Sequence, residues 1–281
     1  MNYVRPKTIA KLLSALQEDG AAILCGGTDI LVKMRRGFLS PRTLVDVSRL
    51  EELHGIKAVE GEIHIGAAVS ENAILKSPLV VERLPLLVEV LKRLAAVEIR
   101  SRGSLGGNLV NASPAADSAV PLLLYEARLR LVGRAGERWA PVREFFVGPG
   151  RTALAKGEFI RTIAIPDPPA GVRSFFHKIG RRRALNISIA SLGVLIRLAG
   201  ESVDLIRVAA GSVAPTPLRL DEAERILLGG RFDEGRIREA VQAAARSVSP
   251  IDDVRATASY RRQVVADLLE RFLRQAQNEW K

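Results

Sequence analysis

The sequence predicts an α+β fold: two N-terminal lobes that mix strands with helices, then a C-terminal lobe of three antiparallel strands followed by three helices. Three observations carry this expectation. Helix-spaced and strand-like apolar runs alternate over residues 1–55. A proline-rich break, Pro166-Asp167-Pro168-Pro169, interrupts the chain. Beyond it, apolar β-rich runs come first and helical runs last, which is the order of a segregated lobe with its own core.

In order, Ile9, Leu12, Leu13 and Leu16 fall at helical spacing behind the cap candidate Thr8, with Gly20 as the stop. Residues 21–25 form a short apolar strand, an amphipathic segment follows at 30–36, and 43–47 read as a further strand. This is a β-α-β-α-β lobe over 1–55. The second lobe, 56–170, opens on the alternating strand around Ile63 and Ile65. A long helix is expected over 84–99, where Leu87, Val90, Leu91, Leu94 and Val97 share a face. Residues 129–132 and 159–166 read as strands. The third lobe, 171–281, carries strands over 175–180, 188–198 and 203–212 and helices over 221–228, 233–246 and 255–276.

The chain has 281 residues, 47% of them hydrophobic, enough for two or three lobes with a sizeable core. A single cysteine excludes an intrachain disulfide and any protein-held thiolate set for zinc or an iron–sulfur cluster. Such a centre must sit on another chain. No apolar run reaches the roughly 18 residues of a membrane span, and the opening Met1-Asn2-Tyr3-Val4-Arg5-Pro6-Lys7 lacks an apolar signal core, so the expectation is a cytoplasmic protein. The net charge of +11 raises nucleic acid as a partner. The basic residues are scattered, however, with Arg181-Arg182-Arg183 as the run, and aromatics make up 5%, which argues against a stacking platform. A basic surface equally suits an acidic partner subunit or an anionic ligand.

Two glycine stretches carry the chemistry. Cys25-Gly26-Gly27-Thr28-Asp29 joins a strand to a helical segment, a turn that leaves amide hydrogens free for an anion. Gly103-Ser104-Leu105-Gly106-Gly107-Asn108 places three glycines within five residues, with Asn111 and its carboxamide close behind. Glycines without Cβ atoms let successive N–H groups converge on phosphate oxygens. Neither stretch is a G-x-G-x-x-G dinucleotide fingerprint or a triphosphate loop. Histidines at 54, 64 and 177 share no ligand spacing, and no nucleophile, base and orienter set is present. No catalytic residue and no metal site is expected.

Together the two stretches resemble the flavin-diphosphate loops of the FAD-binding subunit of molybdenum hydroxylases, the family of xanthine dehydrogenase and aerobic carbon monoxide dehydrogenase. The flanks resemble family segments in the family's order: Tyr3-Val4-Arg5-Pro6, Ile65-Gly66-Ala67, Ile99-Arg100-Ser101-Arg102, Ala112-Ser113-Pro114-Ala115-Ala116-Asp117 and Phe145-Phe146-Val147-Gly148-Pro149. The resemblance implies a two-lobed FAD-binding domain of the vanillyl-alcohol-oxidase/PCMH type plus the C-terminal α+β domain. It also implies that Ile23, Leu24, Cys25, Gly26, Gly27, Thr28, Asp29 and Ile30 wrap one side of the FAD diphosphate, and that Ser104, Leu105, Gly106, Gly107 and Asn108 wrap the other. Asp117, Ile160 and Lys178 match further cofactor contacts. A lysine near the ring system could stabilise anionic reduced flavin. Asp29, repelled by a diphosphate, is expected to cap the helix that follows.

The same resemblance implies partners: a large molybdopterin-binding subunit where substrate is oxidised, a small 2Fe-2S subunit that relays electrons, and an external acceptor that takes them from FAD. Two alternatives stand beside it. One is a free-standing flavin oxidase of the same superfamily, which would need a substrate pocket of its own. The other is a basic nucleic-acid-binding protein without flavin.

Overall fold

The computed structural model describes residues 1–182 and 186–279. Arg183 of the expected basic run lies outside the described residues. The chain divides into two compact units. The first comprises Met1–Leu84, Ala95–Ala112 and Glu126–Asp167, and the second Pro85–Leu94, Ser113–Tyr125 and Pro168–Lys281.

In chain order the first elements are β1 (Asn2–Val4), α1 (Ile9–Ala15), β2 (Ala21–Leu24), α2 (Ile30–Arg35) and β3 (Thr43–Asp46). Thr8 caps α1 as its hydroxyl accepts from Lys11 N–H at 3.3 Å, and Gly20 turns the chain at φ +79°. The three strands form a parallel sheet in the order β1-β3-β2, the arrangement that helical crossovers permit. Leu12, Val45, Leu50 and Leu53 bury against its face.

β4 (Ile56–Val59), β5 (Glu62–Gly66), α3 (Glu71–Lys76) and α4 (Pro78–Arg83) follow, then α5 (Pro85–Lys92), α6 (Val97–Arg102), α7 (Leu105–Asn111) and α8 (Ala119–Leu124). Next come β6 (Arg128–Gly133), β7 (Gly136–Pro141), α9 (Val142–Phe145), β8 (Phe146–Gly148), β9 (Arg151–Thr152) and β10 (Phe159–Pro166). A five-stranded sheet, β4-β5-β10-β6-β7, centres on β10, whose neighbours both run antiparallel to it.

The single helix expected over 84–99 is two helices. α5 ends at Lys92, Ala95 turns left-handed at φ +46°, Ala96 is extended, and α6 starts at Val97. The break falls where the chain passes from the second unit to the first. The Arg100 guanidinium, donating to the Ala95 carbonyl at 3.2 Å, satisfies the carbonyl exposed by the turn.

The second unit adds β11 (Arg173–Ile179), β12 (Ala190–Ala199), β13 (Ser202–Gly211), β14 (Leu218–Arg219), α10 (Asp221–Leu227), α11 (Glu234–Ser247) and α12 (Ala258–Glu279). The three expected strands are antiparallel neighbours, and the two-residue β14 extends them to four. Leu192, Val194, Val208, Leu269 and Phe272 lie in the core that joins this sheet to the three helices. α8 lies against β12 and β13. Gly193 and Gly211 make room for it: a Cβ on Gly193 would stand 2.9 Å from both Leu124 and Val120. Arg207 and Arg219 secure the end of α8, donating to the carbonyls of Leu124 at 2.8 Å and Leu123 at 3.2 Å.

Candidate functional site

The two glycine turns meet in the first unit, backbone against backbone. A Cβ built on Gly26 would stand 1.8 Å from the carbonyl oxygen of Arg102, so no side chain fits at residue 26. Gly106 is also set close against Ala67, whose carbonyl oxygen would be 2.6 Å from an added Cβ. Gly27 has φ +79°, the left-handed conformation that lets β2 pass straight into α2. Glycine is therefore required at these points by close approach and by backbone conformation.

The amide hydrogens of the two turns differ in what remains free. In the first turn, the N–H groups of Gly27, Thr28 and Asp29 make no hydrogen bond to any described residue. In the second, Leu105 donates to Val69 at 3.4 Å, Gly106 to Ala67 at 3.2 Å, Gly107 to the Ser104 hydroxyl at 3.1 Å and Asn108 to the Ser104 carbonyl at 2.9 Å. The first turn thus presents open donors to an anion, while the second is a braced wall in which Ser104 caps α7. Gly103, Ser104, Leu105 and Gly106 are buried, and Gly107 is exposed.

Asp29 occupies the residue before α2, but its carboxylate makes no cap bond to an amide hydrogen. It accepts instead from the Asn111 carboxamide at 3.1 Å, and Asn111 in turn accepts from the Lys33 ammonium at 2.6 Å. This chain ties α2 to α7 across the turns and places a cation one helical turn beyond the free amides. Nothing in the residue pattern around Lys33 marks it as a site residue by type alone. Its spacing of four residues from Asp29 was the available signal.

Ile23 and Cys25 pack on the core of the parallel sheet, with Leu24 half-buried between them. Burial pushes the Cys25 thiol up, which keeps it protonated, and the Ser104 hydroxyl and Gly26 N–H face its sulfur. Ile30 starts α2 and is half-buried. Ile160 is buried in β10 opposite Leu131, beside a bulge at Ile160/Thr162. A cavity of about 470 Å³ opens beside the first turn, walled by Cys25, Gly26, Ser48, Ser70, Ser101 and Arg102.

In the second unit, the structure brings Asp117 and Lys178 together. Their side chains are each 6% exposed, and Lys178 Nζ donates to Asp117 Oδ2 at 2.5 Å and to the Arg93 carbonyl at 3.1 Å. Asp117 Oδ1 is buried and accepts no hydrogen bond from the described residues. Burial pushes the Asp117 carboxyl up while Lys178 opposes the shift. Lys178 is therefore neutralised by a partner, which its sequence context did not signal.

No group of three or more His, Cys, Asp or Glu residues poised to hold a metal occurs among the described residues, and none of the described helices is long and apolar enough to cross a membrane. The free amides at 27–29, the cation at Lys33 and the hydroxyl and thiol around them fit a cofactor diphosphate.

Comparison with known proteins agrees with this chemistry. The family model for the FAD binding domain in molybdopterin dehydrogenase matches residues 1–168, and that for the CO dehydrogenase flavoprotein C-terminal domain matches residues 175–276. The carbon monoxide dehydrogenase medium chain of Hydrogenophaga pseudoflava is 33% identical over 276 residues, 98% of this chain and 96% of the relative. A putative xanthine dehydrogenase FAD-binding subunit of Escherichia coli K12 is 29% identical over 280 residues, 98% of this chain and 95% of that one. Among solved structures, a carbon monoxide dehydrogenase from Hydrogenophaga pseudoflava lacking the Mo-pyranopterin moiety superposes with a TM-score of 0.93 at 33% identity, covering 96% of this chain and 95% of the other.

Proposed function

The chain belongs to the family of FAD-binding subunits of molybdopterin dehydrogenases, and from that premise we propose that it relays electrons from the iron–sulfur clusters of a partner chain through FAD to an external acceptor. The partners are a large molybdopterin-binding subunit, where substrate is oxidised, and a small 2Fe-2S subunit. Its relatives are medium chains and FAD-binding subunits, oxidoreductase components that bind FAD.

The observation that carries this reading is the free amide set at Gly27, Thr28 and Asp29, held open by the backbone contact of Gly26 with Arg102. Those donors would take the diphosphate oxygens, and Lys33 would offset the charge. Ile23, Leu24, Cys25 and Ile30 would shape the flank. Ser104, Leu105, Gly106, Gly107 and Asn108 would close the second side, with Ser104 holding the Gly107 amide in place. Ile160, Asp117 and Lys178 are further contacts in this reading. Bound FAD supplies the hydride and single-electron chemistry. The residues named here bind and orient it. The place of action is the cytoplasm.

The test is reconstitution. The chain purified alone and mixed with FAD should retain flavin absorbance after desalting, without oxidising substrates of such enzymes. Electron transfer to an acceptor should begin when the large and small partner chains are added. A colourless protein after reconstitution would refute the cofactor assignment, and substrate oxidation by the isolated chain would instead support a free-standing flavin oxidase.

A further inference from the structure

Glu71, the first residue of α3, is 2% exposed. A carboxyl group at that depth is ordinarily paired, because burial without a partner disfavours its charge. Its place is fixed from both sides. The Ser70 hydroxyl caps α3 by accepting from Ala73 N–H at 3.2 Å, and Glu71 N–H donates to the Gly103 carbonyl at 3.0 Å. Yet Glu71 Oε2 is buried with no hydrogen-bond partner among the described residues.

That oxygen lies at the junction of the two glycine turns. A Cβ built on Gly103 would stand 3.3 Å from Glu71 Oε2 and 3.6 Å from the Thr28 hydroxyl. Thr28 belongs to the turn with the free amides, and Gly103 starts the braced one. Burial pushes the Glu71 carboxyl up, Arg100 of α6 opposes this and Asp29 adds to it, leaving the group at about 7. α4, the other helix packed on α3, commits its Arg83 to Asp167.

We propose that Glu71 is a positioning residue for the cofactor diphosphate, carrying a proton when the diphosphate is held and weakening the grip when it ionises. With its proton, Glu71 adds no charge to that of Asp29, whose carboxylate is already engaged by Asn111. Without it, a second negative charge joins that of Asp29 near the turn whose amides must accept an anion. The effect is reciprocal: a bound diphosphate favours protonated Glu71 by the same factor by which protonation tightens binding. The inference rests on the reading that the Gly27–Asp29 amides hold the FAD diphosphate.

FAD binding to the intact chain, followed by quenching of flavin fluorescence, tests it. Between about pH 6 and pH 8 the wild-type dissociation constant should rise about three- to ten-fold, as expected for one added charge near the site. Glu71→Gln, neutral throughout, should hold the tight value across the interval. Calorimetry at about pH 7 in two buffers of different ionisation enthalpy should show proton uptake on binding by the wild type, and none by Glu71→Gln. Where Glu71→Gln fails to fold, Glu71→Leu, likewise neutral throughout, takes its place in both measurements. Equal pH profiles for the two proteins, or no proton uptake by the wild type, would overturn the inference. So would an uptake that survives Glu71→Gln but disappears in His54→Gln, which would assign the proton to the imidazole. Absence of FAD binding at every pH would instead overturn the cofactor reading itself.

Discussion

The α-carbon of Gly26 abuts the carbonyl oxygen of Arg102, with 1.8 Å between that oxygen and the place a β-carbon would take. The approach is backbone to backbone, so neither side can yield by a rotamer change. Gly26→Ala should therefore push the turns apart and abolish retention of FAD on desalting, with a loss of stability of about 1–3 kcal/mol in chemical denaturation, the range for overpacking.

At Gly27 the constraint is conformational. A side chain at φ +79° costs about 1–2 kcal/mol, and its Cβ would press on the end of the Leu31 side chain at 2.9 Å and touch that of Leu24 at 3.5 Å. Gly27→Ala should fold with a lowered Tm and bind FAD more weakly, a milder outcome than Gly26→Ala in the same two assays.

Gly106 and Gly107 are neighbours with opposite demands. A Cβ on Gly106 would lie 2.6 Å from the Ala67 carbonyl, whereas one on Gly107 would meet only the Ser104 hydroxyl, at 3.0 Å. Gly106→Ala should lower Tm markedly. Gly107→Ala should leave Tm nearly unchanged and act, if at all, on FAD affinity, since Gly107 is exposed at the site.

How much of this was legible in the sequence depends on what each signal reports. Thr8, the apolar spacing after it and Gly20 specified α1, because cap, period and stop are local. The break at Ala95 was not legible: Leu91, Leu94 and Val97 keep helical spacing across it, and spacing reports which side chains are buried rather than whether the backbone is continuous. The glycines signalled close approach, but which atoms approach, Arg102 O and Ala67 O, is a tertiary fact. An acid in the first turn of α3 reads as an ordinary partner of the helix dipole, so nothing local marked Glu71 as buried.

Asp117 and Lys178 form a pair with both side chains 6% exposed. Removing one partner leaves the other charge buried and should cost about 3–5 kcal/mol. Lys178→Met and Asp117→Asn should each lower stability by that order, and the double variant by less than the sum. Denaturant titrations of the four proteins give the coupling directly.

Asp46 links the stability of the first unit to acid pH. Burial pushes its carboxyl up, but the Ser48 hydroxyl and N–H, Tyr3 and Arg5 outweigh this and hold it at about 2. A depressed carboxyl contributes stability that is present above its unfolded value, near 4, and is lost as pH falls through 2. Asp46→Asn should cost about 2 kcal/mol at neutral pH and almost nothing near pH 2, a convergence visible in thermal melts across that window.

Equilibrium titration of the purified chain with FAD tests the central claim most directly. Saturable binding of one FAD per chain, weakened in Gly27→Ala and lost in Gly26→Ala while the variants' far-ultraviolet circular dichroism stays native, is the outcome expected of a diphosphate held at the first glycine turn. Binding of undiminished affinity in both variants would contradict it.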